Sequence, residues 1–272
     1  MTVRLADLLV TVERLWPASG AEAWDAVGLV AGDPDDPVGR VHLAVDAVAA
    51  TVDEAIEGGA GLLVAHHPLL LRGVTSLAED RYKGALVARL IRARCALVAA
   101  HTNADVVDEG TSAVLAERLG LVDTRPIVPS EAAGTGLGRV GRLPAPTTLG
   151  RLARSLAEIL PATATGVRAA GDFDQPVETV AVCGGAGDSL LSHPDVRASD
   201  VYITADLRHH PASEAREQAI LRGGPALLDV SHWASEWLWL DRAADQLRSE
   251  HPELEVVVSD LRTDPWDFQV VQ

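Results

Sequence analysis

Four histidines and two carboxylates stand where short apolar runs of the chain stop. Leu62-Leu63-Val64-Ala65 leads into His66-His67-Pro68. Ala96-Leu97-Val98-Ala99-Ala100 leads into His101 and then Asp105, and Ala226 to Ser231 leads into His232 and then Glu236. Short apolar runs bounded by Gly or Pro and separated by helical patterns read as buried parallel strands. In open α/β sheets, ligand sites form where such strands end.

His101 and Asp105 are four residues apart, as are His232 and Glu236. On a helix this spacing sets two side chains on one face, with Cβ atoms about 5–6 Å apart, so that one cation can accept both. His66 and His67 are adjacent and project differently, so they need not share an ion. Pro68 keeps a helix from starting at His67. The expected centre holds two divalent ions on His66, His67, His101, Asp105, His232 and Glu236. Three protein ligands per ion with positions left open is the pattern of a catalytic site. Four neutral imidazoles and two carboxylates around two such ions leave a net charge of about +2. A positive focus in an acidic protein suits a small anionic substrate, a phosphate or a nucleotide. The mixed N/O donor set suits zinc, manganese, iron, cobalt or nickel.

Two ions lower the pKa of water and polarise a scissile bond, so the expected activity is metal-dependent hydrolysis, for which a phosphoester is the simpler substrate. Glu236 is a candidate catalytic residue as well as a ligand, and His209 or His210 is a candidate proton donor to the leaving group. His209-His210 reads equally well as the start of a helix. The rival reading is a metal-loaded regulatory or scaffold protein without turnover. A single histidine after a strand is usually a surface or capping residue; six such groups at three strand ends outweigh that. Asp46 and Asp25 either orient a ligand histidine or form turns at strand ends, and the turn is favoured. The run Gly184-Gly185-Ala186-Gly187 reads as a plain turn ahead of a phosphate cradle. His42 reads as an exposed strand residue, and Trp233, Trp237 and Trp239 as packing between helix and sheet.

Strands and helices alternate along the chain. Leucines and valines at helical spacing give a helix over 4–15. Val41–Ala47 reads as a strand, followed by a helix capped by Thr51 and Glu54 and ended at Gly58-Gly59. Further helices are expected over 85–91, 112–119, 148–159, 213–221 and 233–247. Strands are expected near 164–169, 180–183, 201–207, 255–259 and 268–271. The fold class is α/β, two α/β domains with mostly parallel sheets and the metal site at strand C-terminal ends. Pro126, Pro129, Gly134, Gly136, Gly138 and Gly141 make a turn-rich stretch where a boundary belongs. The third cluster must meet the first two, so residues 1–126 and 226–272 are expected to form one discontinuous domain, with 127–225 inserted as the second.

A chain of 272 residues that is 47% hydrophobic is globular. A net charge of −16 argues against nucleic acid and against anionic membranes as partners. Cys95 and Cys183 belong to no CxxC, which points to no zinc knuckle or disulfide framework. No apolar run approaches the roughly 20 residues that span a bilayer, and the N-terminus lacks a signal pattern, so a cytoplasmic protein is expected.

Trp24-Asp25-Ala26-Val27-Gly28-Leu29, His66-His67-Pro68, His101-Thr102-Asn103-Ala104-Asp105, Thr204-Ala205-Asp206 with His209-His210, and Ser231-His232-Trp233-Ala234-Ser235-Glu236 together resemble a known family. It is the Nif-three-like dinuclear metal-centre proteins, labelled GTP cyclohydrolase 1 type 2 homologues. The resemblance covers nearly the whole chain. It implies the same six metal ligands, two α/β domains, and a ring-shaped homohexamer with sites facing an internal cavity. It also adds cyclohydrolase chemistry on a purine ring to the expected activity. The chain departs from the family pattern at Ala26 for a usual Asn, Ala205-Asp206 for Gly-Glu, and Ser231 for Gly.

Overall fold

The computed structural model describes residues 2–271. The chain divides into two compact units: the first runs to Ala104 and includes Leu240–Thr263, and the second comprises Asp105–Trp239 and the tail from Asp264.

The first unit is built on a five-stranded sheet in the order Glu255–Val258, Arg40–Ala44, Leu62–Ala65, Ala96–Ala99, Gly28–Ala31. Its first three pairings are parallel and the last is antiparallel. Leu62–Ala65 and Ala96–Ala99 are buried along their whole length, as an unbroken apolar run in the middle of a parallel sheet must be. The helices Ala49–Glu57 and Tyr82–Ala93 pack Val52, Ala55, Leu86 and Leu90 against Leu63 and Leu97. Each fully buried leucine in that layer stabilises the fold by about 1.5–3 kcal/mol.

The expected capping box is displaced by one turn. Thr51 sits inside the helix, where its hydroxyl accepts from the Val48 N–H at 3.1 Å and donates to the Asp46 carbonyl at 2.6 Å. Glu54 therefore does other work, accepting from His42 Nε2 at 2.9 Å and from the Ser259 hydroxyl at 2.5 Å. This partner explains why His42 is buried rather than exposed.

The second unit carries a six-stranded sheet in the order Arg168–Ala170, Ala226–Val230, Val201–Ala205, Pro176–Ala186, Arg139–Thr148, Val122–Arg125. The two pairings of Val201–Ala205 are parallel and the other three antiparallel, so this sheet is mixed. Its core gathers Ile127, Ala181, Val196, Tyr202 and Leu227. The helix Leu149–Ile159 starts where expected, with the Thr148 hydroxyl accepting from the Arg151 N–H at 3.3 Å.

The boundaries expected at 126/127 and 225/226 are corrected here. Val122–Arg125 and Ala226–Val230 both belong to the second sheet. The turn-rich stretch is not a linker, because Gly136–Leu137 pairs antiparallel with Val128–Pro129 inside the second unit. At the other end the change of unit falls within the continuous helix His232–Glu250, between Trp239 and Leu240. A helix interior carries no turn residues to mark such a change. The expected strand at 268–271 is irregular chain with Phe268, Val270 and Val271 exposed.

Among the described residues no helix is long and apolar enough to cross a membrane. Cys95 and Cys183 are free and buried. Burial pushes the Cys95 thiol up to about 11, and burial with the nearby Asp105 and Glu236 charges pushes Cys183 up to about 12. Thiolate is the reactive form. Neither cysteine is expected to react with a disulfide reagent at neutral pH in the native chain, and both are expected to react after unfolding. A thiol count taken before and after adding denaturant checks this.

Candidate metal centre

In the first unit the parallel ladder continues past the strand ends and fixes three histidines. The His66 N–H donates to the Ala44 carbonyl at 3.0 Å and the His67 N–H to Val45 at 2.8 Å. The Ala100 N–H donates to Ala65 at 2.9 Å, placing His101 one residue beyond. His66, His67 and His101 each offer a ligand nitrogen within 4.8 Å of the other two. Two ligands of one zinc-like ion, each about 2.1 Å from it, stand up to about 4 Å apart, so the triad needs only a small closure to share a cation.

Each imidazole is oriented by an acceptor on Nδ1. His66 Nδ1 donates to the Ala100 carbonyl at 2.8 Å, His67 Nδ1 to Asp46 Oδ1 at 2.7 Å and His101 Nδ1 to Asp25 Oδ1 at 2.9 Å. In the second unit His232 Nδ1 donates to Asp206 Oδ2 at 2.8 Å. A neutral imidazole protonated at Nδ1 carries its lone pair on Nε2, and this carboxylate- or carbonyl-to-histidine arrangement is the usual support of a metal ligand.

The supporting carboxylates are themselves held. Asp25 accepts from the Ala26 N–H at 2.7 Å, from the Thr102 N–H at 3.1 Å and from the Thr102 hydroxyl. Burial raises its pKa, but the hydrogen bonds from His101, Thr102 and Ala26 outweigh this and keep it below the usual carboxylate range. Asp46 also accepts from the Thr263 hydroxyl. The turn-forming reading of Asp25 and Asp46 is therefore corrected: both carboxylates point at a histidine.

In the second unit His232 and Glu236 open the helix His232–Glu250, and their one-turn spacing brings His232 Nε2 within 3.0 Å of Glu236 Oε1. Burial lowers the His232 pKa, but the charges and hydrogen bonds of Glu236 and Asp206 overcome it and raise the imidazole to about 11. Asp206 and Glu236 thus set two carboxylates against one imidazole, a charge arrangement that suits a cation. Asp105 accepts from the Thr111 hydroxyl at 2.5 Å, and its charge, with that of Glu236, acts on the buried Cys183 thiol.

Gly185 supplies the cradle. Its φ is +68°, and a Cβ there would lie 2.4 Å from Glu236 Oε1 and 3.3 Å from His232 Nε2. The Gly184–Gly187 run is thus not a plain turn: it ends the strand Pro176–Ala186 with the Gly185 N–H donating to the Ser235 hydroxyl at 2.9 Å. The signal for this role was the glycine pair itself, at the end of an apolar strand.

His209 and His210 are the first residues of the helix His209–Arg222, exposed, with rings 5.2 Å apart. They belong to no group of close ligand atoms among the described residues. The donor sets and the cleared space beside Glu236 fit divalent ions.

These features match a known family along almost the whole chain. The sequence profile of the DUF34/NIF3 family (NGG1p interacting factor 3) fits residues 3–265. The chain belongs to the DUF34/NIF3 family. Among its curated relatives is a protein of Streptomyces coelicolor named GTP cyclohydrolase 1 type 2 homolog, 51% identical over 98% of this chain and 95% of that one. A protein of the same name from Mycobacterium tuberculosis is 38% identical over 98% of each chain. Solved structures share the fold. The Staphylococcus aureus protein SA1388 superposes with a TM-score of 0.87 at 28% identity, over 98% of this chain and 99% of that one. A Bacillus cereus protein related to NIF3 does so with a TM-score of 0.88 at 22% identity over 98% and 99%.

For this DUF34/NIF3 chain, removing an orienting carboxylate is expected to loosen metal by about 10–100-fold without unfolding the protein. Asp46→Asn and Asp206→Asn test it in a competition titration against a chromophoric chelator. Unchanged affinity in both would show that the Nδ1 bonds do not tune the ligands.

Proposed function

We propose that this chain is a metal-dependent hydrolase of a small anionic substrate, nucleotide or phosphorylated. It would carry two divalent ions on His66, His67, His101, Asp105, His232 and Glu236. The observation that carries this reading is that all four histidines have Nδ1 tied to a carbonyl or carboxylate. In a neutral imidazole that Nδ1 bond leaves the Nε2 lone pair for a cation. The name borne by the Streptomyces and Mycobacterium relatives, GTP cyclohydrolase 1 type 2 homolog, is compatible with hydrolysis at a purine ring. A pair of bound divalent ions would supply Lewis acidity and an activated water. The chain's own residues do the rest. Asp25, Asp46 and Asp206 hold the imidazoles still, Glu236 would offset cationic charge in a buried setting, and His209 or His210 would serve as the proton source.

Zinc, manganese, iron, cobalt and nickel all suit the donor set. We further read the working form as a homohexameric ring, which light scattering checks: six times the chain mass is expected, and a monomer contradicts it. Two unpaired, buried cysteines accord with a reducing, cytoplasmic setting.

The test is a panel of nucleotides and phosphate monoesters offered to the metal-loaded and the chelator-stripped protein. Turnover that rises and falls with metal content supports the proposal. A fully loaded protein inactive across the panel contradicts hydrolysis and leaves the scaffold reading.

A further inference from the structure

Trp16, Trp233 and Trp239 are buried, as large indoles in a packed fold usually are. Trp24 is not. It is 59% exposed, and its ring lies edge-to-face with His101 at 5.8 Å between centroids. A lone exposed apolar residue needs no explanation. This one is held in place by the metal-ligand segment itself.

Trp24 lies in a turn whose Asp25 N–H donates to the Glu22 carbonyl at 2.9 Å. One end is pinned by the Glu22 N–H donating to the Thr102 hydroxyl at 3.0 Å. The other is pinned by Asp25, which holds both His101 Nδ1 and the Thr102 N–H. The turn thus grips two successive residues, a proposed ligand and its neighbour, and carries the indole at a fixed place beside the imidazole. An aromatic ring already ordered and already exposed gives up little entropy when a second ring covers it.

We propose that Trp24 is a stacking platform for the heteroaromatic ring of a nucleotide whose phosphate is held at the metal centre. This rests on the metal-centre reading above and deepens it by naming the part of the substrate that lies away from the ions. The indole offers an uncharged aromatic face, which suits a base and not a phosphate. Phosphate goes to the cations and the base to the tryptophan. Stacking on an indole tolerates different bases, because each has a π-face.

The test uses the full-length, metal-loaded chain and three probes in calorimetric titrations: AMP, GMP and ribose 5-phosphate, which has the phosphate and no base. Trp24→Ala is expected to weaken AMP and GMP by about tenfold or more. Ribose 5-phosphate is expected to stay within about twofold, and Trp24→Phe to recover most of the loss. Equal weakening of all three probes, or none for AMP and GMP, overturns the platform. So does a Trp24→Ala protein that changes oligomeric state while binding nucleotides normally, since the indole is then a contact between copies. If wild type binds none of the probes, the platform falls too. Metal content measured on the same samples reports separately on the metal-centre reading.

Discussion

Glu236→Gln is expected to cut turnover about a thousandfold or more while the protein stays folded. The carboxylate is buried and opens the helix His232–Glu250. Glutamine has the same shape and still offers an oxygen, so packing against Gly185 survives. What is lost is one negative charge beside the proposed cations, in a setting poor in water. At about 4 Å and an effective dielectric near 20 that charge is worth about 4 kcal/mol, which is about three powers of ten in rate if it is felt in the transition state. Near-normal activity in Glu236→Gln, with thermal unfolding unchanged, would remove the residue from the machinery. His209→Ala and His210→Ala are expected to be milder, since general acid catalysis contributes about 10²–10⁴-fold and water replaces a lost donor in part.

The second large effect belongs to a residue with no functional group. Gly185→Ala is expected to abolish metal binding by the His232–Glu236 pair and to lower stability as well. Two costs add there. The left-handed backbone, φ +68°, disfavours any side chain by about 1–2 kcal/mol. The new methyl, 2.4 Å from Glu236 Oε1, must also push that carboxylate away. Gly120 separates the two, having φ +71° and nothing within 4 Å of an added Cβ. Gly120→Ala is therefore expected to lose about 1–2 kcal/mol of stability with activity intact. Gly185→Ala should lose a comparable amount together with its metal and its turnover. If both variants bind metal normally, the glycine is a backbone requirement alone and the cradle is wrong.

How much of this was legible in the sequence differs by level. The buried parallel strands announce themselves, because Leu62–Ala65 and Ala96–Ala99 are apolar without interruption. Histidines directly after those strands point to a ligand site, and His66, His67 and His101 do gather. The boundaries between units were not legible. The second unit uses the turn-rich stretch for its own strands, and the change between units inside His232–Glu250 leaves no mark in composition.

The supporting carboxylates are hidden in the sequence for a related reason. Asp46 and Asp25 have the local look of turn formers, and only contacts 21 and 76 residues away along the chain show their partners, His67 and His101. His42 is hidden in the same manner, since Glu54, its half-buried partner, has the spacing of a cap. Spacing on one element is visible in a sequence; a hydrogen bond between elements is not.

Four imidazoles and two carboxylates are proposed to hold two divalent ions, and every functional expectation above depends on that. Metal content per chain, measured by elemental analysis after loading and desalting, tests it most directly. Wild type is expected to retain two ions, and His101→Ala and Glu236→Gln fewer, with each variant folded by circular dichroism. Wild-type protein that retains none, or a His101→Ala protein that keeps both, would contradict it.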